Sequence, residues 1–137
     1  MAQSKSKKNQ VAKTAKSKKT KKVMYKGRIY MYASYNNTVL TFTDENGDVL
    51  AWSSAGVVGF SGSRKSTPYA AQKAAENLNS KIAKFGVKEV DVYIKGAGAA
   101  KQLALKELSN GGYRICSLID NNPVRMGGTR PRKKPRK

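Results

Sequence analysis

The order Arg28-Ile29-Tyr30-Met31-Tyr32-Ala33-Ser34, then Asn36-Asn37, then Thr38-Val39-Leu40-Thr41-Phe42-Thr43, sets two runs of aromatic and β-branched residues around a short polar break. Such runs suit half-buried strands, and paired asparagines suit the turn between them. Next comes Asp44-Glu45-Asn46-Gly47-Asp48, whose Asn-Gly pair predicts a two-residue type I′ hairpin turn with positive φ at both positions. Residues 49–53 then return as a third strand. The opening of the fold therefore reads as three antiparallel strands.

Downstream the hydrophobic period changes from two to three or four. A glycine-rich loop over residues 56–62 leads to Ser66-Thr67-Pro68, an oxygen-bearing N-cap followed by a proline suited to the first helical position. Ala71, Ala75, Leu78, Ile82 and Phe85 then recur along one face and Gly86 follows, which predicts a helix over residues 68–85 closed by a glycine C-cap. Val90, Val92 and Ile94 alternate as a fourth strand. Gly96-Ala97-Gly98 turns into a second helix that uses Ala100, Ala104 and Leu108, with Gly111-Gly112 at its end. Residues 113–120 form a fifth strand. Three antiparallel strands followed by helix, strand, helix, strand imply an α/β domain: a mixed five-stranded sheet with helices packed on its faces and right-handed crossovers in its second half. Trp52 and Cys116 fall within strand patterns and are assigned to the core.

The charge is distributed unevenly. The chain has 28 Lys and Arg against 8 Asp and Glu and no His, a formal net charge of +20. Residues 1–23 hold nine lysines and no acid, and residues 123–137 hold seven basic residues and no acid. The chain thus divides into a basic N-terminal extension (1–23), a globular domain (24–122) and a basic, extended C-terminal tail (123–137). Beyond Met1 the extension has one apolar side chain larger than alanine, Val11, too little to offset the entropy of ordering, so it is expected to be disordered on its own. Such a surplus of positive charge calls for an anionic partner.

Several chemistries are disfavoured. One cysteine and no histidine remove the usual zinc sets and any base to activate the Cys116 thiol. No run approaches the ~20 apolar residues of a membrane span. Residues 1–22 lack a secretory h-region, and having no Arg and no apolar face they fit an organellar transit peptide poorly. A two-metal nuclease would need clustered carboxylates, yet Asp44, Glu45 and Asp48 belong to a hairpin tip while Asp91 and Asp120 belong to later strands. No enzyme, cofactor or metal site is expected.

Binding elements are easier to identify. Residues 60–68 set Arg64, Lys65 and four hydroxyls, among them Ser66 and Thr67, at a helix start whose backbone N–H groups could meet phosphate. The blander account is a helix cap with two solvated cations. Gly96-Ala97-Gly98 lacks the third glycine of a dinucleotide loop, because Lys101 stands in its place, but Lys95 and Lys101 flank a turn where backbone could approach a phosphate. Tyr30, Tyr32 and Tyr35 could stack on unpaired bases, although strand aromatics more often pack. In the C-terminal tail, Arg125, Arg130, Arg132, Lys133, Lys134 and Arg136 are interleaved with Gly and Pro, which suits an extended arm among phosphates; a nuclear-localisation-like or solubilising tail is the competing account.

Two segments carry a family resemblance: Ala33-Ser34-Tyr35-Asn36-Asn37-Thr38, and Gly59-Phe60-Ser61-Gly62-Ser63-Arg64-Lys65-Ser66-Thr67-Pro68-Tyr69-Ala70-Ala71-Gln72. With the order of elements around them, they resemble the small-subunit ribosomal protein eleven family from about residue 28 to residue 134. The resemblance implies an RNase H-like mixed sheet without the nuclease site. It further implies a place on the platform of the small subunit, binding to 16S-type rRNA that bridges separate rRNA helices, and a share in the Shine-Dalgarno cleft; the features of residues 1–22 favour a cytoplasmic over an organellar ribosome. Implied neighbours are small-subunit proteins seven and eighteen, with initiation factor three and mRNA near the cleft. Carried over by position, Asn36 and Asn37 match the family's Asn-Asn-Thr turn, and Arg64, Lys65, Ser66 and Thr67 match its basic element ahead of the helix. Two stretches depart from the family pattern. Its Gly-Pro-Gly-x-Gly-Arg turn stands here as Gly96-Ala97-Gly98-Ala99-Ala100-Lys101, and its Pro-His-Asn-Gly-Cys-Arg-Pro-Pro tail as Arg125-Met126-Gly127-Gly128-Thr129-Arg130-Pro131-Arg132. Composition alone would also permit a nucleoid or chromatin protein that grips duplex DNA.

Overall fold

A computed structural model of the chain describes residues 23–136. The expected disorder of the N-terminal extension therefore falls, save for Val23, outside the described residues. Five strands and two α-helices follow in the order β1 (Lys26–Ala33), β2 (Thr38–Thr43), β3 (Val49–Ser54), α1 (Pro68–Ile82), β4 (Glu89–Lys95), α2 (Lys101–Ser109) and β5 (Arg114–Asp120), with 3-10 turns at Gly62–Ser66 and Ala83–Phe85. They form one sheet of order β3-β2-β1-β4-β5. The first three strands pair antiparallel, whereas β4 lies parallel to β1 and β5 parallel to β4. The mixed α/β sheet expected from the sequence is the one observed.

Both crossovers, β3 to β4 through α1 and β4 to β5 through α2, join parallel strands and move the same way across the sheet. Crossovers of one hand that move one way place their helices on one face. Accordingly α1 and α2 pack side by side, and a single core joins them to the inward residues of β1, β2, β3 and β4. Along β1 the inward set is Gly27, Ile29, Met31 and Ala33, while Lys26, Arg28, Tyr30 and Tyr32 point the other way. Ile29, Leu40, Phe42, Leu78, Val90, Val92 and Leu108 are fully buried, each such side chain contributing roughly 1.5–3 kcal/mol. Among the described residues no helix lies over the second face of the sheet.

Local chemistry explains the element ends. Thr67 caps α1, its Oγ1 accepting from the Ala70 N–H at 3.3 Å, and Pro68 opens the helix. Four alanines at positions 70, 71, 74 and 75 line the buried stripe, and small side chains let the helix sit close to the sheet. The predicted extent to residue 85 holds, with the last turn tightened to 3-10 before Gly86 takes the left-handed conformation (φ 65°). Tyr113 is buried ahead of β5, its hydroxyl donating to Asn79 Oδ1 at 2.8 Å, while Asn79 Nδ2 donates to the Glu107 carbonyl at 2.9 Å. This chain of bonds ties α1 to α2 and to the start of β5. Burial pushes the Tyr113 phenol well above its ordinary pKa.

Three expectations need correction. Asn46 does not adopt positive φ: among the described residues only glycines do, and the hairpin uses Gly47 alone (φ 95°). The Gly47 N–H donates to the Asp44 carbonyl at 3.1 Å and the Asp44 N–H to the Asp48 carbonyl at 3.0 Å, the pattern of a turn closed by a glycine bulge. With the register shifted between Phe42 and Thr43, one left-handed residue is enough to close the turn, and Gly47 supplies it. Trp52 is not a core residue: it is 53% exposed, because its register partner Thr41 points to the helix-free face. Cys116 is exposed as well, sitting where the β4–β5 register shifts beyond Val90 and Ile115.

Two outcomes follow for stability. Gly96 has φ 106°, and a Cβ there would lie 2.1 Å from the Ala33 carbonyl oxygen, whereas Gly47 is left-handed with open space around it. In urea unfolding, Gly96→Ala should cost at least ~3 kcal/mol and Gly47→Ala ~1 kcal/mol; equal costs would remove the close approach as a constraint. The second outcome concerns Asp91, which accepts from Ser117 Oγ at 2.7 Å and pairs with Lys26 Nζ at 3.0 Å, linking β1, β4 and β5. The Ser117 hydrogen bond first, then Lys26, holds its carboxyl below the usual carboxylate range. A lowered folded-state pKa stabilises above the unfolded value, near ~4, and that stabilisation is lost as pH falls through the folded value. Asp91→Asn should therefore be less stable than the parent at pH 7, with the gap closing as pH is lowered below about 4; a gap constant with pH would assign the effect to packing.

Candidate nucleic-acid interface

β1, β3, β4 and β5 all run the same way, so their carboxyl ends share one edge of the sheet. Both helices start from that edge, each following a strand that ends there. In open α/β sheets ligands bind outside the carboxyl ends of the strands. The sequence-predicted residues of the folded domain, scattered from position 36 to position 101, are brought to this edge.

The turn between β1 and β2 is closed internally. The Ser34 N–H donates to the Asn37 carbonyl at 2.9 Å, and Ser34 Oγ accepts from the Asn37 N–H at 3.0 Å. Asn37 spends its Oδ1 on the Thr38 N–H at 2.9 Å, and Asn36 projects from the turn as an exposed side chain. Asn37 shapes the turn and Asn36 is its outward group. Beside it lies the turn after β4, where the Gly98 N–H donates to the Ala33 carbonyl at 2.9 Å. A Cβ on Gly98 would lie 2.6 Å from the Ser34 carbonyl oxygen. Glycines at 96 and 98 thus let the Asn36-Asn37 turn and the Lys95–Lys101 turn press together.

Arg64 and Lys65 lie in the 3-10 turn Gly62–Ser66 that precedes α1. Arg64 is exposed, and Lys65 is half-buried, close to Gly56 just past the end of β3. Ser66 Oγ donates to the Ser63 carbonyl at 2.9 Å, and Thr67 Oγ1 donates to the Arg64 carbonyl at 2.7 Å while accepting from Ala70. The helix end offers fewer open donors than expected: Pro68 has no N–H, the Ala70 N–H is taken by Thr67 Oγ1, and the Ala71 N–H by the Thr67 carbonyl. Ser66 and Thr67 hold the turn in shape, and Arg64 and Lys65 supply its charge. Lys95 ends β4 as an exposed cation, and Lys101 opens α2, whose N-cap Ala100 makes no side-chain cap bond.

The C-terminal tail leaves from the same edge. The Asn121 N–H donates to the Ile94 carbonyl at 2.8 Å, and Asn122 Oδ1 accepts from the Gly96 N–H at 2.8 Å. Asn122 is held in turn by Asp120, whose Oδ1 accepts from Asn122 Nδ2. This root was missed in the sequence, although Asp120-Asn121-Asn122-Pro123 is a turn-rich string that marks a fixed exit. Residues 121–136 contain no helix or strand and are exposed throughout, so Arg125, Arg130, Arg132, Lys133, Lys134 and Arg136 are all accessible. The described chain begins at the opposite edge, where the Met24 N–H donates to the Phe85 carbonyl at 3.2 Å.

The edge therefore carries Arg64, Lys65, Lys95, Lys101 and the tail root, with the Asp120 carboxylate at the end of β5. That arrangement can hold polyanions. Among the described residues no group of three or more Cys, Asp or Glu is placed to hold a metal. Asp91 and Asp120, the acids a nuclease would need, are engaged separately by Lys26 with Ser117 and by Asn122. No helix among the described residues is long and apolar enough to cross a membrane.

Comparison with known proteins gives the family. The family model described as Ribosomal protein S11 matches residues 27–136. A Thermus thermophilus protein named small ribosomal subunit protein uS11 is 46% identical over 127 residues, covering 93% of this chain and 98% of the relative. Proteins of the same name from Cellvibrio japonicus and Stenotrophomonas maltophilia are each 46% identical, over 124 and 119 residues. The match takes in both turns, the basic helix start and most of the tail, and on that ground this chain belongs to the ribosomal protein S11 family.

Proposed function

We propose that the chain is a structural constituent of the small ribosomal subunit, binds the subunit's rRNA through the carboxyl-end edge of its sheet, and catalyses no reaction. The observation that carries this reading is the convergence of Arg64, Lys65, Lys95 and Lys101 with the root of the C-terminal tail on one edge. Asn36 is the polar group placed among them. Residues 1–22, with nine lysines, join the domain at the opposite edge. Cationic segments rooted at opposite edges can neutralise phosphates on two RNA elements at once, so that helices which repel one another pack together.

The family resemblance extends the proposal to the platform of the small subunit, a share in the Shine-Dalgarno cleft, and neighbours that include small-subunit proteins seven and eighteen, with initiation factor three and mRNA close by; the composition of residues 1–22 favours a cytoplasmic ribosome. The altered turn at residues 96–101 keeps two glycines and its flanking lysines. The altered tail keeps Arg130 and Pro131. Charge at both places is thus retained where side-chain identity is not.

The test is equilibrium binding of the whole chain to a platform fragment of small-subunit rRNA and to a length-matched DNA duplex across a salt series. The rRNA should be preferred, with affinity falling ~10³-fold or more between ~50 and ~200 mM salt. Arg64→Ala with Lys65→Ala should weaken binding and reduce the salt slope by about 2. Equal affinity for the duplex would remove the ribosomal reading, and an unchanged slope would remove the two cations from the interface.

A further inference from the structure

The face of the sheet opposite the helices carries a row of side chains that the carboxyl-end edge leaves unused. Register places Trp52 beside Thr41, Thr41 beside Tyr30, Tyr30 beside Tyr93, and Tyr93 beside Ile119, one residue from each of the five strands. The next row holds Tyr32 beside Lys95. Tyr30 and Tyr93 stack with ring centroids 5.0 Å apart, and Tyr30, Tyr32 and Trp52 are 36%, 50% and 53% exposed. These aromatics stand on a surface that no described helix covers, where packing in the core does not account for them.

Resting on the RNA-binding reading above, we infer that this face binds a short stretch of unpaired RNA, whose bases stack on Tyr32, on Trp52 and on the open sides of the Tyr30–Tyr93 pair. Charge supports that occupant. Lys95 adjoins Tyr32, and Arg28 stands on the same face two residues before Tyr30. Asp91, the carboxylate nearest the aromatic row on its Arg28 side, is occupied by Lys26 and Ser117. Size agrees as well: from β3 to β4 is about 14 Å at ~4.8 Å per strand, room for two or three bases. Other occupants fit less well. A second copy would bring together two chains of formal charge +20, and residues 1–22 offer nine lysines with little apolar surface to cover aromatics. Stacking accepts any base and leaves phosphates to the cations, so the face would hold a single strand while the edge and tails grip phosphates elsewhere.

The test uses the whole chain with a uridine-rich single strand and an RNA duplex of equal length. Tyr30→Ala with Tyr32→Ala should lower single-strand affinity by ~10-fold or more, leave the salt slope unchanged, and leave duplex binding unaltered. Tyr30→Phe with Tyr32→Phe keeps the rings and should keep the affinity. In the unsubstituted chain, 4-thiouridine in the strand should cross-link to peptides that contain Tyr30, Tyr32, Trp52 or Tyr93. The inference is overturned if the alanine variant binds the strand as the parent does and cross-links avoid this face, which would leave it to a protein neighbour. A dimer in sedimentation that is abolished by the alanine pair would assign the face to a second copy and overturn it too. Failure of the face with steep, salt-sensitive RNA binding intact leaves the broader reading standing; loss of all RNA binding removes both.

Discussion

The hand of the two crossovers is the constraint on which the rest of the molecule depends. Because β4 and β5 are added in the same direction across the sheet, a shared hand puts α1 and α2 on one face and leaves the other without a helix among the described residues. One face then holds the apolar core, and the other must be made of residues that tolerate water. The same parallel arrangement gathers the strand ends that carry Asn36, Lys95 and the tail root at one edge. It also directs the starts of both helices there. A topology chosen by chain handedness thus decides which cations become neighbours.

Holding that edge together is a matter of close backbone approach. The turn after β4 lies against Ala33 and Ser34 so tightly that side chains at positions 96 and 98 would enter the backbone. Hydrogen bonds from Gly98 to Ala33 and from Gly96 to Asn122 then fasten the β1 turn, the β4 turn and the tail exit into one unit. Cations on a rigid support lose less freedom when they meet phosphate than cations on a loose chain. The tail can accordingly be flexible in sequence, provided its root is fixed.

Much of the fold was legible in residues alone. The alternation over residues 28–34, the Thr67-Pro68 cap and Gly86 each act through local chemistry, and each element formed where its pattern lay. Trp52 and Cys116 were misassigned because periodicity shows that a strand has two faces but not whether both are covered. The hairpin turn was misread for a related reason: Asn46-Gly47 permits two left-handed residues, yet the strand register with its bulge after Phe42 needed only one. Asn122 escaped notice because its partner, the Gly96 N–H, is 26 residues away.

Composition and local pattern by themselves determined that this chain has a mixed α/β domain, basic ends, and an anionic partner, since charge, caps and hydrophobic period act over a few residues and are readable in order. Only the tertiary structure decided that Arg64, Lys65, Lys95, Lys101 and the tail root share an edge, and that Tyr30, Tyr32, Tyr93 and Trp52 share an open face. Those groupings depend on strand order, register and crossover hand. They are set by how the whole sheet closes over one core, a global condition that no short stretch of sequence contains.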